Sequence, residues 1–272
     1  FGHSNVAHVV EDQGVAQRFL DYWNDLAGDP TAASLKASVE ALTPLSGGKP
    51  PVGTTVLFSP RRNLDALNWY ADRARDATES LFMTFAFGMH DVFKDVYRTA
   101  TAPLRFALME QKTRPMEDGP DKAAEEQEIQ RLRNMPENVF AVGEFIRTSK
   151  IDGWLKERLT GLNTNVRYVH NKFMLIDPLS DDPSVVVCSA KFSDASTLKN
   201  DENMIVVRGN TRVADIYLGE FMRLYSHHAF RESLQWRDAG DPPKPLRTDD
   251  WWRDSFGNTP RSARRKHFAR TQ

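Results

Sequence analysis

The chain has 272 residues, 40% of them apolar and 27% charged, enough to bury a substantial core in one large domain or two smaller ones. Its formal charge of −1 gives no global electrostatic signature of a nucleic-acid binder, although a local basic groove is compatible with a neutral total. Cys188 is the one cysteine, which excludes an intrachain disulfide and a cysteine zinc cluster, and no apolar run reaches the length of a membrane span.

The first residue is Phe1 rather than Met. The expectation for localisation is a soluble protein, secreted if an upstream signal has been removed and otherwise cytoplasmic. Residues 13–28 predict an amphipathic helix, with Val15, Phe19, Trp23 and Leu26 at helical spacing. Gly28 to Val52, rich in Pro, Gly, Ser and Thr, predicts a long connection. "TTVLFSP" predicts a strand, and Asn63 is expected to cap a helix over 64–77. "SLFMTFAFG" and "LRFALME" predict apolar strands. "AAEEQEIQRLRNM" predicts a solvated helix ended by Pro136, and "NVFAVGEFI" returns to strand. "WLKERL" predicts a short helix. Strands are then expected at "VRYVHNKFMLID", "SVVVCS" and "ENMIVVRG", followed by a helix over 212–228. Strands separated by helices point to an α/β layered architecture. Past Arg231 few periods remain, and "DPPKPL" predicts a linker.

An internal match links the two ends of this pattern. "NVAHVVEDQGVAQRFLDYWNDL", starting at Asn5, aligns without a gap on "NMIVVRGNTRVADIYLGEFMRL", starting at Asn203. Asn5, Val9, Val15, Ala16, Leu20 and Leu26 fall on Asn203, Val207, Val213, Ala214, Leu218 and Leu224. Both stretches predict strand, turn and amphipathic helix. The match suggests that the N-terminus is the end of an earlier repeat.

In "RYVHNKFMLID" a histidine and a lysine interrupt an otherwise apolar strand. Residues two apart face one side of a strand, so His170 and Lys172 project together while Val169, Asn171 and Phe173 face the other way. Lysine supplies a fixed charge for a phosphate oxygen, and histidine titrates near neutrality and serves as nucleophile or proton donor. A phosphoryl centre needs its oxygens neutralised, a nucleophile in line and a protonated leaving group. One His–Lys pair supplies part of that; two facing pairs supply it all.

"HNKFMLID" resembles the H-x-K-x4-D motif of the phospholipase D superfamily, with His170, Lys172 and Asp177 in the three defining places. "CSAKFSDASTLKNDEN" is similar to that superfamily's G-S-x-N segment and later acidic position. The resemblance implies an α/β sandwich with a mixed β-sheet flanked by helices. It also implies a pseudo-two-fold repeat whose first half is mostly absent from this chain. Residues 1–28 would be the last strand and helix of a first repeat, 29–50 a linker, 51–248 the second repeat and 249–272 a C-terminal tail. The implied activity is phosphodiester hydrolysis or transfer through a phosphohistidine, with neither metal nor cofactor and phospholipid favoured as substrate. A nuclease acting on DNA or RNA and an impaired scaffold or regulatory repeat are the alternatives. The other catalytic half would come from a complementary chain carrying the first motif or from a second copy of this chain.

Carried over by residue, His170 would protonate the leaving oxygen and then activate water or an alcohol. Glu202 would accept from its other ring nitrogen. Lys172 would bind phosphate, with Ser189, Lys191, Asn203 and Asn5 beside it. Asp177, although part of the catalytic motif, is expected to stabilise the strand end rather than touch substrate. Two positions depart from the pattern: Cys188 stands for the glycine and Lys191 for the asparagine, the latter still able to hold phosphate but adding charge near Lys172 and expected to depress the pKa of His170. Among weaker candidates, His90 is expected to cap the next helix. His227 and His228 are expected to interact favourably with a helix dipole rather than bind metal. Asp249–Trp252 is expected to pack onto the body, and "RSARRKHFAR" to be a solvated tail or a surface for anionic lipid or nucleic acid.

Overall fold

A computed structural model describes residues 4–143, 168–233 and 248–269. The expected helix at "WLKERL" and the linker "DPPKPL" lie outside the described residues. The helices are α1 (Gln13–Ala27), α2 (Ala32–Leu42), α3 (Asp65–Arg75), α4 (Asp91–Thr99), α5 (Pro120–Arg133), α6 (Asp194–Leu198), α7 (Thr211–Ser233) and α8 (Pro260–Phe268). The strands are β1 (Gly53–Phe58), β2 (Leu81–Phe85), β3 (Arg105–Met109), β4 (Asn138–Val142), β5 (Phe173–Ile176), β6 (Ser184–Cys188) and β7 (Asn203–Arg208). They form one seven-stranded mixed sheet in the order β1-β7-β6-β5-β2-β3-β4. β2, β3 and β4 run parallel to one another, and the remaining neighbours pair antiparallel. No helix among the described residues is long and apolar enough to cross a membrane.

Alternation along the strands gives the sheet two apolar faces. Leu81, Met83, Phe85, Ala107 and Met109 join a core with Leu67, Tyr70, Phe93, Tyr97, Ile129 and Leu132 of α3, α4 and α5. Phe82, Phe106, Leu108, Phe173 and Leu175 join the opposite core with Val15 and Tyr22 of α1, Leu35 and Val39 of α2, and Tyr217, Phe221 and Leu224 of α7. Phe221 meets Phe82 edge-on at 5.3 Å between centroids, which ties α7 to the middle of the sheet.

Five local expectations are corrected. The 28–52 connection contains α2, capped by Thr31, whose hydroxyl accepts from Ser34 N, so the polar composition there marks a cap and not a bare linker. Residues 4–12 do not form the expected strand. The segment is instead tied to the chain ahead of β5 by bonds from Ser4 N and Oγ to Tyr168 O. Leu64, not Asn63, occupies the position before α3, and the Asn63 side chain accepts from Asp65 N at 3.0 Å. The "RSARRKHFAR" stretch forms most of α8 and packs, with Ser262 and His267 buried and Phe268 against Phe82 and Phe106. Trp251 and Trp252, expected against the body, remain about half exposed in a 3-10 turn.

The two matched stretches share their helix start. Asp12 accepts from Val15 N at the head of α1, and Asn210 accepts from Val213 N at the head of α7. A short polar side chain thus satisfies an otherwise orphaned N–H at the same place in each unit.

Candidate active site

The ends of β2, β3 and β6 and the beginnings of β5 and β7 meet at one end of the sheet. His170 and Lys172 stand there, but not within a strand as expected, because β5 begins only at Phe173. The cause is Thr84 of β2. Its buried hydroxyl donates to Asn171 O (2.7 Å) and accepts from Phe173 N (3.0 Å), so a side chain takes over the ladder where the main chains part. Upstream, Val169 N donates to the Glu110 carboxylate (2.7 Å) and His170 N to Ser4 Oγ (3.2 Å). Val169 and Phe173 turn into the core of α1, α2 and α7 while the side chains of His170 and Lys172 meet each other, so the two-residue alternation expected of an extended segment survives without the strand.

Lys172 Nζ lies 2.9 Å from Nδ1 and 3.1 Å from Nε2 of His170, and Asn5 Oδ1 lies 3.0 Å from Nδ1. With its proton on Nδ1 the ring donates to Asn5 and offers Nε2 to the ammonium. Lys172 is buried, and its pKa falls to about 8. Burial is the main cause and the Lys191 charge the second, with Glu202 opposing them. Lys191 thus acts electrostatically on Lys172. A cleft of about 460 Å³ opens beside the ammonium, walled by Asn5, His8, Ser189 and Asn203 over an apolar floor of Val187 and Ile205.

Ser189 extends the β6–β7 ladder, its hydroxyl accepting from Asn203 N at 3.0 Å and its N–H donating to Asn203 O at 3.2 Å. Lys191 follows in a turn where Lys191 N donates to Ser196 Oγ (3.0 Å). Phe192 adopts a φ of 53° with its ring buried against Tyr70, Phe85 and Phe93. A bulky residue in the left-handed region is strained, and the aromatic contacts hold it there. The Lys191 ammonium lies 4.6 Å from the centroid of the Phe87 ring, which meets the His170 imidazole edge-on at 6.4 Å.

Sequence reasoning missed Phe87 and Thr84. The available signal for Phe87 was Gly88, whose φ of 81° and approach to Arg114 N and Thr113 O leave no room for a Cβ. That turn sends Phe87 toward the site. His90 accepts from Val92 N at the head of α4, as expected, and its Nε2 meets Asp194 Oδ1 at 3.0 Å. The loops bearing Phe87 and Lys191 are thereby joined twice.

Two expected roles change, those of Glu202 and His228, and that of Asp177 is kept. Glu202 turns its carboxylate to Asn200 Nδ2 (3.1 Å) and Ser196 Oγ (3.4 Å), so it braces the Lys191 turn rather than accepting from the imidazole. Asp177 lies at the far end of β5. Its carboxylate accepts from Thr78 N and Oγ1, Glu79 N and Ser80 N, so it anchors the neighbouring loop at the strand end, as expected. His228 is buried within α7 and its pKa drops to about 4, through burial first and then neighbouring His227, Arg231 and Arg223. A neutral ring there cannot supply the cation expected to face the helix dipole.

No protein-family model and no curated protein matches the sequence. Among solved structures, the chain is similar to Nuc from Salmonella typhimurium, described as a phospholipase D family member. The identity is 16% and the TM-score 0.43, covering 64% of this chain and 94% of that one. NucT from Helicobacter pylori aligns at 17% identity and a TM-score of 0.43, over 64% of this chain and 95% of that one. A phosphatidylserine synthase from Haemophilus influenzae aligns at 11% identity and a TM-score of 0.48, over 80% of this chain, which spans 54% of the synthase. At these identities and TM-scores no property of those proteins carries over, and the chemistry of this chain rests on its own side chains.

Proposed function

We propose that this protein is a phospholipase D-type phosphodiesterase in which His170 and Lys172 form one of two catalytic sets. The observation that carries this reading is the buried Lys172 ammonium held against the His170 imidazole beside an open cleft. The ammonium neutralises a phosphate oxygen, with Ser189, Asn203 and Asn5 on the cleft wall and Lys191 a second cation nearby. A histidine from the complementary set attacks phosphorus and forms a phosphohistidine. His170, carrying a second proton on Nε2 as the imidazolium, gives that proton to the departing alcohol oxygen as the P–O bond breaks, then takes a proton at Nε2 from water or an acceptor alcohol as that oxygen attacks phosphorus and the P–N bond breaks. A single set cannot attack and protonate from opposite sides of phosphorus, so a complementary lobe is required. The apolar cleft floor beside the cation suits a phospholipid, whose anionic and apolar portions meet both surfaces.

Turnover of bis(p-nitrophenyl) phosphate in EDTA, by the protein purified from its source and by His170→Ala, tests the activity. The wild-type protein is expected to cleave the diester and the variant to lose at least ~100-fold in rate, as removal of a proton-transfer group does. Equal turnover by the two proteins, or none by either, overturns the proposal. Parallel assays with phosphatidylcholine vesicles and plasmid DNA decide the substrate; DNA nicking without head-group release overturns the lipid assignment.

A further inference from the structure

The segment around α8 is seated on the body by one side and exposes a mixed aromatic and cationic surface on the other. Ser262 and His267 of α8 are buried, and Phe268 meets Phe82 and Phe106 at 6.3 and 6.1 Å between ring centroids, so the helix has a fixed outer side. The 3-10 turn Trp251–Ser255 is tied to it: Arg261 Nη1 donates to Trp251 O (3.4 Å) and Arg265 Nε to Ser255 O (2.8 Å). Arg261 and Arg265 lie one helical turn apart and share one side of α8. Their bonds bring both charges among Trp251, Trp252 and Phe256, which are 46%, 49% and 52% exposed. The Arg265 guanidinium lies 4.7 Å from the Phe256 centroid, and the Arg253 guanidinium 5.7 Å from the Trp252 centroid. α8 carries Arg261, Arg264, Arg265 and Lys266 and no carboxylate, in a chain whose formal charge is −1. The carboxylates nearby, Asp249, Asp250 and Asp254, belong to the turn and the residues just ahead of it, where Asp250 pairs with Arg253 at 3.0 Å. Large aromatic side chains left together half in water mark an interaction surface.

We propose that this surface docks the protein on an anionic phospholipid bilayer. Tryptophan and phenylalanine rings enter the boundary between head groups and acyl chains, while arginine and lysine at the same level meet lipid phosphates. Arginine suits this place, because its weakly hydrated guanidinium lies on a ring face and still donates to phosphate. A nucleic acid is the other polyanion that such residues attract, but it stacks its bases on open ring faces. Here guanidinium groups already lie over Trp252 and Phe256, and these two rings meet edge-on at 6.1 Å. The bilayer, which needs ring bodies and cations side by side rather than free ring faces, is the better match. The inference goes beyond phosphodiester cleavage and stands without it. Joined to the proposed activity, it holds the protein at the interface where a phospholipid substrate lies, which raises turnover of lipid in vesicles and leaves that of a soluble diester unchanged.

Co-sedimentation of the full chain with vesicles tests this surface, comparing an equal mixture of phosphatidylglycerol and phosphatidylcholine with phosphatidylcholine alone. The chain is expected to bind the anionic vesicles at least ~10-fold more tightly than the neutral ones, and more weakly as salt rises from about 0.1 M to about 0.5 M. Arg261→Gln combined with Arg265→Gln removes two surface cations and should weaken binding roughly 30-fold. Trp251→Ala combined with Trp252→Ala should weaken it at least roughly 10-fold with every cation in place. Should the arginine variant loosen the turn, the tryptophan variant still decides, because the Arg261 and Arg265 bonds to Trp251 O and Ser255 O run to the backbone and remain. Its melting temperature and its turnover of bis(p-nitrophenyl) phosphate should match wild type, since both rings are half exposed and neither lines the cleft. Equal binding to neutral and anionic vesicles, binding to neither, or binding that the tryptophan variant leaves unchanged overturns the inference. So does retention of an oligonucleotide by a chain that ignores vesicles. Vesicle binding by a chain that cleaves no diester supports the docking and removes the proposed activity. Cleavage of the soluble diester by a chain that binds no vesicle removes the docking and leaves the activity.

Discussion

Asp177 offers the sharpest separation of structural from catalytic roles in the motif. Its carboxylate accepts from three backbone N–H groups and one hydroxyl at 2.8–3.1 Å, and its own backbone sits at a φ of 47°. Asp177→Ala leaves four donors without that acceptor. Hydrogen bonds to a charged group contribute roughly 1.5–3 kcal/mol each, but the sum overstates the loss because water can reach Thr78 and Glu79, while Ser80 is buried. Removing one side of a buried charged network costs about 3–5 kcal/mol, and an alanine in the left-handed region adds about 1 kcal/mol. For a chain of this size each kcal/mol lowers the melting temperature by about 2–4 °C, so Asp177→Ala should lose roughly 8–24 °C. Asp177→Asn keeps one carbonyl acceptor and tolerates the backbone, and should lose about half as much. Thermal unfolding by circular dichroism gives the stability, and diester turnover at low temperature, per folded molecule, gives the chemistry. A melting temperature within about 2 °C of wild type for Asp177→Ala would refute the loop-anchor account. So would Asp177→Asn losing turnover while keeping its stability.

The remaining predictions concern the phosphate site. Lys172 with a pKa near 8 is charged below that pH, so affinity for inorganic phosphate should be full there and fall as pH rises through about 8, measurable by calorimetry. Because the unfolded lysine keeps its proton to higher pH, the unliganded protein should gain stability across that interval, which urea unfolding at pH 7 and pH 9 would show. Lys191→Asn removes the second cause of that depression, and the alkaline limb of phosphate binding should move upward; an unmoved limb would disprove the coupling. Lys172→Met should abolish phosphate binding, and Lys172→Arg should not restore it, because a planar guanidinium does not fit the ammonium's seat against His170. Thr84→Val leaves Asn171 O and Phe173 N without their bridging hydroxyl and should cost about 1–3 kcal/mol in urea unfolding. Its phosphate affinity should fall too, since Lys172 lies between those two residues.

Local chemistry in the sequence was sufficient for most of the scaffold. Apolar runs bounded by turn residues marked every strand from β1 to β7, and the helical period marked α1, α3, α5 and α7. These elements bury one face or both, and burial leaves a periodic trace. α2 escaped because it is short and alanine-rich inside a stretch whose Pro, Gly, Ser and Thr read as a connection, and α8 because its basic composition hides a short helix; each is held by a few contacts, Leu35 and Val39 in one and Phe268 in the other. The spacing of His170 and Lys172 also survived translation into structure, since any extended segment alternates its side chains.

What no local pattern carried was which distant groups meet. Thr84 ends the pairing of β5, Phe87 faces Lys191, and Asn5 reaches His170 across 165 positions of sequence. The spacing of the motif grouped Asp177 with His170, yet the length of β5 sets them at opposite ends of the sheet, because a strand advances about 3.3 Å with each residue. Glu202 likewise bonds to Ser196 and Asn200, as the turn after β6 brings them within reach. Composition and period settled which residues could be buried or paired; the order of strands in the sheet settled their partners.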